Sequence, residues 1–395
     1  MYKLKIQRVG PIENGYGSQW LEISPLTVFV GDQGSGKSTI AKILSTCIWI
    51  EKSLVRRDWK AEYITKYNRF EKELDFQGIK AYLKEDSLIE YQGPAYHLIY
   101  SSRNLVVRSR DSNGTYKFPK LMYIPAERNF VAVVGLPHRV KRLPKALYTF
   151  MEEYLDSISS LSEKFELPIG NSHVRRKGQT LILEGPGYSI GLFQASSGYQ
   201  ALVPMLMVIQ HLQNIVVMGT PNDEMTLSVD EKKKLDRKIT SLLNDTKISD
   251  EVKSIALRHL SGSTVYEMLV NIIEEPELSL YPDSQGEMLY SVLASHNAIP
   301  NNHTVITTHS PYIINYLTLA AKAYEIYHTD NSATLSVPRF SAINGEAIVI
   351  YKMKEGKVTK VQNYRSLPSD ENPLNQELEK FNTQFIEMLI HQKNA

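Results

Sequence analysis

Residues 2–9 alternate between apolar Tyr2, Leu4 and Ile6 and polar Lys3, Lys5 and Gln7, the pattern of a half-buried strand. Turn-forming Pro11, Asn14, Gly15 and Gly17 follow, and Trp20, Leu21 and Ile23 predict a second strand. Leu26–Val30 is a short continuous apolar run, which suits a buried parallel strand. From Lys37 to Leu54 the period changes: Ile40, Ile43, Leu44, Cys47 and Ile48 recur at helical spacing. Leu98–Arg108 and Tyr116–Pro119 predict strands around a turn at Asp111–Gly114, and Leu121–Ile124 predicts another strand ending at Pro125. Residues 145–165 predict a helix, and 173–193 predict strands around the turn Gly185–Gly187. Gly198–Leu212 predicts a strongly apolar helix. Val265–Ile273 predicts a buried strand, Gln285–Leu293 a helix, Thr304–Thr307 a strand, 334–339 and 347–352 strand-like segments, and 374–391 a terminal helix.

Length and composition narrow the class. A chain of 395 residues, 42% hydrophobic and 22% charged, suits one large α/β domain with insertions, or two domains. A net charge of +2 is too mild to indicate nucleic acid by itself. The single cysteine, Cys47, excludes both an internal disulfide and a cysteine-rich zinc site. The N-terminal segment lacks the apolar core of a signal peptide, and no uninterrupted apolar stretch is long enough to span a membrane. A cytoplasmic protein without a membrane partner is therefore expected.

Three segments carry candidate chemistry. Gly31-Asp32-Gln33-Gly34-Ser35-Gly36-Lys37-Ser38 matches G-x-x-x-x-G-K-[ST] between a buried strand and a helix. Glycines let backbone N–H groups turn toward phosphate oxygens, and a helix N-terminus favours an anion. Lys37 is expected on the terminal phosphates and Ser38 on Mg²⁺, with Gly31, Gln33, Gly34, Ser35, Gly36 and Thr39 completing the cofactor-binding set. The apolar strand Val270–Ile273 ends in Glu274 and Glu275. Glu274 is expected to orient Mg²⁺ or its water, and Glu275 to polarise an attacking water as general base. Thr307-Thr308-His309-Ser310 supplies a third piece, with His309 expected on a γ-phosphate or the attacking water.

Taken together, GDQGSGKST, IIEEPELSLYP and TVITTHSPYI resemble the ABC-type ATPases of the SMC, RecF and OLD kind. Within these the chain is similar to ATPases of bacterial anti-phage defence systems, such as PtuA of Septu or AriA of PARIS. The resemblance covers about residues 1–50, 120–130, 190–212 and 264–318. It implies an α/β fold, a P-loop NTPase of ABC-ATPase head type with a mixed or parallel sheet and a helical insertion. The head would span 1–335, with an inserted mixed region at 55–120 and a helical insertion at about 218–262. Residues 336–395 would form a C-terminal strand–helix accessory cap. It also implies ATP and Mg²⁺ as ligands and a signature motif reaching the γ-phosphate of a second subunit. Ser196-Ser197-Gly198-Tyr199-Gln200 is the candidate, with Ser197 as phosphate ligand and Gly198 beside it; a plain helix cap is the alternative. Tyr199 departs from the usual second glycine. No Q-loop glutamine is recognised, and Tyr123-Ile124-Pro125-Ala126-Glu127-Arg128-Asn129 occupies its region, with Glu127 or Arg128 a candidate nucleotide sensor.

The resemblance further implies a homodimer or higher oligomer formed through composite ATP sites. No nuclease constellation is evident in the chain, so the expected role is an ATP-gated sensor or scaffold that controls a separate effector protein, a nuclease or toxin. A RecF-like DNA-repair clamp is the alternative. Arg56–Lys60, His138–Lys145, Arg175–Lys177 and Lys232–Lys238 are basic clusters that are candidates for DNA or RNA contact.

Overall fold

The alternating segment Tyr2–Val9 forms β1, and its buried Tyr2, Leu4, Ile6 and Val9 face the interior. β2 (Leu21–Ile23) pairs with it antiparallel, and the apolar run Leu26–Gly31 forms β3, buried along its whole length. The structure is a computed structural model that describes residues 2–110, 116–134, 143–178, 180–218, 237, 266–361 and 382–388. Helix α1 (Lys37–Val55) starts directly after the glycine-rich loop and carries Ile40, Ile43, Leu44, Cys47 and Ile48 into the core. Two short helices, α2 (Ala61–Thr65) and α3 (Arg69–Phe76), lead to β4 (Leu83–Gln92), β5 (Tyr96–Ser101) and β6 (Asn104–Ser109).

These three strands join β1 and β2 in one antiparallel sheet of order β2-β1-β4-β5-β6. Residues 83–109, within the region expected as a mixed insertion at 55–120, therefore complete a sheet that the N-terminus begins. The expected strand Leu98–Arg108 is really the hairpin β5–β6, which turns at Ser102 and Arg103, both at positive φ (47° and 59°). That conformation usually goes to glycine or asparagine, so Ser-Arg gave no turn signal. The expected turn Asp111–Gly114 lies outside the described residues.

β7 (Pro119–Ile124) is followed by a 3₁₀ turn at Ala126–Asn129, α4 (Phe130–Val133) and α5 (Lys145–Ser159). A small antiparallel sheet comes next, from β8 (Lys164–Glu166), β9 (His173–Lys177), β10 (Thr180–Gly185) and β11 (Tyr188–Gly191), in the order β11-β10-β9-β8. α6 (Ser197–Met218) is long and apolar enough to cross a membrane by composition, yet its Leu202, Val203, Met205, Val208 and Leu212 lie in the protein core. The helical insertion expected at about 218–262 lies, apart from its first residue and Arg237, outside the described residues. Then come β12 (Met268–Glu274), α7 (Pro282–Asn297), β13 (His303–Thr308), α8 (Pro311–Thr329), β14 (Ile348–Lys354) and β15 (Lys357–Lys360).

The central sheet has the order β15-β14-β3-β13-β12-β7, parallel except for β15. Its strands alternate between two cores. Phe29, Val270, Ile272, Val305 and Val349 pack with α1 and the five-stranded sheet, while Val28, Ile273, Ile306 and Ile350 pack with α5, α6, α7 and α8. This is a mixed α/β architecture, a mostly parallel central sheet with a core on each face.

Two expectations change. The segment 347–352, read as part of an accessory cap, is a strand of the central sheet and pairs in parallel with β3. Residues 334–339 form no strand. There Val337 is buried and its carbonyl accepts a hydrogen bond from the Tyr327 hydroxyl, and Pro338 lacks the N–H a ladder needs. Of the terminal helix expected at 374–391, residues 382–388 are described and helical, with Phe385, Ile386 and Met388 exposed.

Candidate nucleotide-binding site

The phosphate loop hangs between the end of β3 and the first turn of α1. Gly34 and Gly36 have φ of 72° and 100°, so both occupy backbone space that an L side chain resists. Gly31 is required for another reason: a Cβ there would lie 2.1 Å from the Met353 carbonyl oxygen of β14. Lys37 folds back over this loop. Its Nζ donates to the carbonyls of Gly31 and Asp32, each at 2.8 Å, and lies 3.5 Å from Ser35 Oγ. Burial lowers its pKa to about 8, against the opposing pull of Glu275, Asp32, Glu277 and Glu274. Gln33 is exposed, Ser38 half-buried and Thr39 buried.

The carboxylates arrive from the next-but-one strand. Glu274 closes β12 and is 3% exposed; its Oε2 accepts from the Ala126 N–H at 3.3 Å, while Oε1 is buried without a hydrogen-bond partner. Glu275 has a left-handed backbone, φ 42°, which costs on the order of 1–3 kcal/mol for a side-chain-bearing residue. Its N–H donates to Thr307 O at 2.8 Å, which ties it to β13. Its Oε1 lies 3.2 Å from His309 Nε2, and His309 Nδ1 lies 3.4 Å from Lys37 Nζ. Lys37, His309 and Glu275 therefore form a continuous polar chain across β3, β13 and β12, three adjacent strands.

Glu277 fixes the histidine. Its Oε1 accepts from Thr308 Oγ1 at 2.6 Å and from the His309 N–H at 2.9 Å. The run Glu-Glu-Pro-Glu displays this third carboxylate, but no local pattern assigns it a role. The candidate sensor Arg128 binds main-chain groups. It is fully buried and donates to main-chain carbonyls of Ala201 (3.1 Å), Pro125 (3.2 Å), Glu274 (2.6 Å) and Glu275 (2.6 Å). Burial lowers its pKa to about 10, with Glu277, Glu275, Glu274 and Glu127 opposing the shift.

The signature candidate stands elsewhere. Ser196 and Ser197 are exposed at the start of α6, and Gly198 packs against the turn after the carboxylates, where a Cβ would come 2.8 Å from Ser279 O. Tyr199 turns away toward the small sheet: its hydroxyl accepts from Ser172 Oγ at 3.2 Å and covers Gly170. The departure from glycine at position 199 thus has a packing role.

The donor set suits Mg²⁺, which takes oxygen ligands from one or two side chains and from substrate phosphates. Glu274 Oε1, Glu277 Oε2 and Thr307 Oγ1 are buried oxygens without hydrogen-bond partners, and Ser38 lies in the first turn of α1, directly after Lys37. Among the described residues no group of three or more His, Cys, Asp or Glu forms a self-sufficient metal cage. Of the basic clusters, Arg56 lies 3.6 Å from Asp58 and Arg175 lies 2.7 Å from Glu184. Most of His138–Lys145 and of Lys232–Lys238 lies outside the described residues.

No protein-family profile matches the chain, and no curated protein does. Among solved structures it is similar to an SMC head bound to the C-terminal winged-helix domain of ScpA (9% identity, 91% of this chain and 97% of that one, TM-score 0.39). It is also similar to the SMC head domain of Thermotoga maritima (11% identity, 91% and 97%, TM-score 0.37). A third is the recombination mediator RecF with ATP (11% identity, 91% and 97%, TM-score 0.29). The chain's own strand order, glycine-rich loop and carboxylate-ended strand make it a mixed α/β protein with a P-loop motif.

Proposed function

We propose that this chain binds ATP with Mg²⁺ and hydrolyses it. The observation that carries the reading is the Lys37–His309–Glu275 chain, with its 3.4 Å and 3.2 Å steps. It puts a cation made for phosphate, a histidine and a carboxylate in one line at the ends of three strands. Loop N–H groups around Gly31, Gln33, Gly34, Ser35, Gly36 and Thr39 cradle phosphates, and Lys37 leaves its two loop carbonyls to meet them. Ser38 and Glu274 would hold the metal ion, which when bound would supply positive charge against the phosphates. Glu275 accepts the proton of the attacking water, and His309 orients that water while bonded to Glu275. Ser197 and Gly198 of a second copy close the site, so the working unit is a homodimer or higher oligomer.

Glu275→Gln is the direct test. Hydrolysis should fall by about 10²–10⁴-fold while ATP binding is kept, as measured by turnover and by equilibrium titration. An unaffected turnover rate refutes the assignment of Glu275.

We further infer that the ATPase is a gate for a separate effector, a nuclease or toxin, in anti-phage defence. The motif resemblance supports this, together with the absence of a recognisable nuclease motif in the sequence. Copurification from the native operon should recover the effector. A chain that isolates alone and cleaves DNA unaided would overturn it, and ATP-dependent, salt-sensitive binding to duplex ends would favour a RecF-like clamp instead.

A further inference from the structure

Arg128 is among the largest fully buried side chains in the protein, and its acceptors are main-chain carbonyls. Burying a guanidinium that bonds only to main-chain carbonyls is a costly way to fill space even with Glu274, Glu275, Glu277 and Glu127 nearby. An apolar side chain, however, cannot grip two places at once. Nη1 and Nη2 hold the consecutive carbonyls of Glu274 and Glu275, at the point where Glu275 takes its left-handed backbone. Nε holds the carbonyl of Ala201, one turn into α6 from Ser197. The planar fork of arginine makes this geometry rigid, which a lysine ammonium would not. A second contact links the same two segments: Gly198 sits on Ser279, itself at φ 58°.

We propose that Arg128 is a positioning residue that couples the start of α6 to the backbone of Glu275. The proposal rests on the ATPase reading for the role of Glu275. A displacement of the first turn of α6 pulls the Ala201 carbonyl, and the guanidinium passes it to the two carbonyls that aim Glu275 at His309. Because the first turn of α6 is the part that meets nucleotide held by a second copy, each composite site reports its occupancy to the carboxylate of the other.

Amide hydrogen exchange on the full-length protein without nucleotide tests the coupling, and turnover tests its consequence. Arg128→Lys should raise exchange at both 197–203 and 274–280 and leave β3 and β13 unchanged. Its kcat should drop by about tenfold or more, with half-saturating ATP changed by less than about threefold. Ala201→Gly keeps Arg128 and the carbonyl but loosens the helix, so α6 exchange should rise by about fivefold. Coupling then requires 274–276 to rise as well, which decides the matter if Arg128→Lys does not fold. Exchange that rises evenly over the whole protein, or at only one of the two segments, overturns the proposal. So does an unchanged kcat. A wild-type protein with no turnover would sink the hydrolysis reading, and the exchange arms would still decide the coupling.

Discussion

Lys37 shows how burial sets the chemistry of one side chain. Its pKa stands near 8 instead of the ordinary 10.5, so its neutral form grows as pH rises through about 8. An anionic nucleotide needs the charged form, and bound phosphate pulls the pKa back up. Nucleotide affinity should therefore hold between pH 7 and 8 and then weaken, by at most about tenfold per pH unit, with proton uptake on binding above pH 8. Calorimetric titration in buffers of different ionisation enthalpy measures both. A flat affinity from pH 7 to 9.5 without proton uptake would contradict it. At this scale much of the site was legible, because Lys37, Ser38 and Glu275 belong to runs whose spacing is itself the signal. Glu277 was not, because its partners, Thr308 Oγ1 and the His309 N–H, come from a distant segment, and the carbonyls that the candidate Arg128 holds on α6 and β12 are equally distant.

Among the elements, β14 matters most to the site. Its run Ile348–Tyr351 is buried on both faces, as a central parallel strand should be, but a strand's place along the chain does not give its place in a sheet. Pairing with β3 puts the Met353 carbonyl against Gly31 and so shapes the entrance to the phosphate loop. Gly31→Ala must push the two backbones apart and should cost about 1–3 kcal/mol, read by urea denaturation with the slope unchanged. Undiminished stability would mean that β14 gives way freely. The small sheet β8–β11 was equally hidden in its role: it receives Tyr199, which explains a residue that looked like a broken motif.

At the scale of the whole molecule, the phosphate loop and the start of α6 lie on different segments, which the proposed composite site joins across two copies. Gly198, which follows the exposed Ser196 and Ser197, packs on the turn that leads to Tyr281, which is 75% exposed. A side chain of that size left in solvent near the candidate signature suits the surface that the proposal has a second copy cover. With Glu275→Gln blocking turnover, ATP and Mg²⁺ should shift the mass from 45.0 kDa to about twice that value, read by light scattering. Ser197→Glu should abolish the shift through repulsion of the γ-phosphate while leaving single-site nucleotide binding intact. A mass independent of ATP would remove the composite site from the proposal.

By itself the sequence determined the local structure: the glycine-rich loop before α1, the buried strands β3 and β12, the acidic end of β12 and the histidine after β13. Each is encoded in neighbouring residues, where hydrophobic period and turn chemistry act over one or two turns of chain. Only the tertiary structure decided that β14 belongs beside β3, that residues 83–109 finish the sheet begun by β1, that His309 bridges Lys37 and Glu275, and that Arg128 grips α6 and β12 together. Those outcomes depend on which buried surfaces and which backbone carbonyls meet across long stretches of chain, and no local pattern records them.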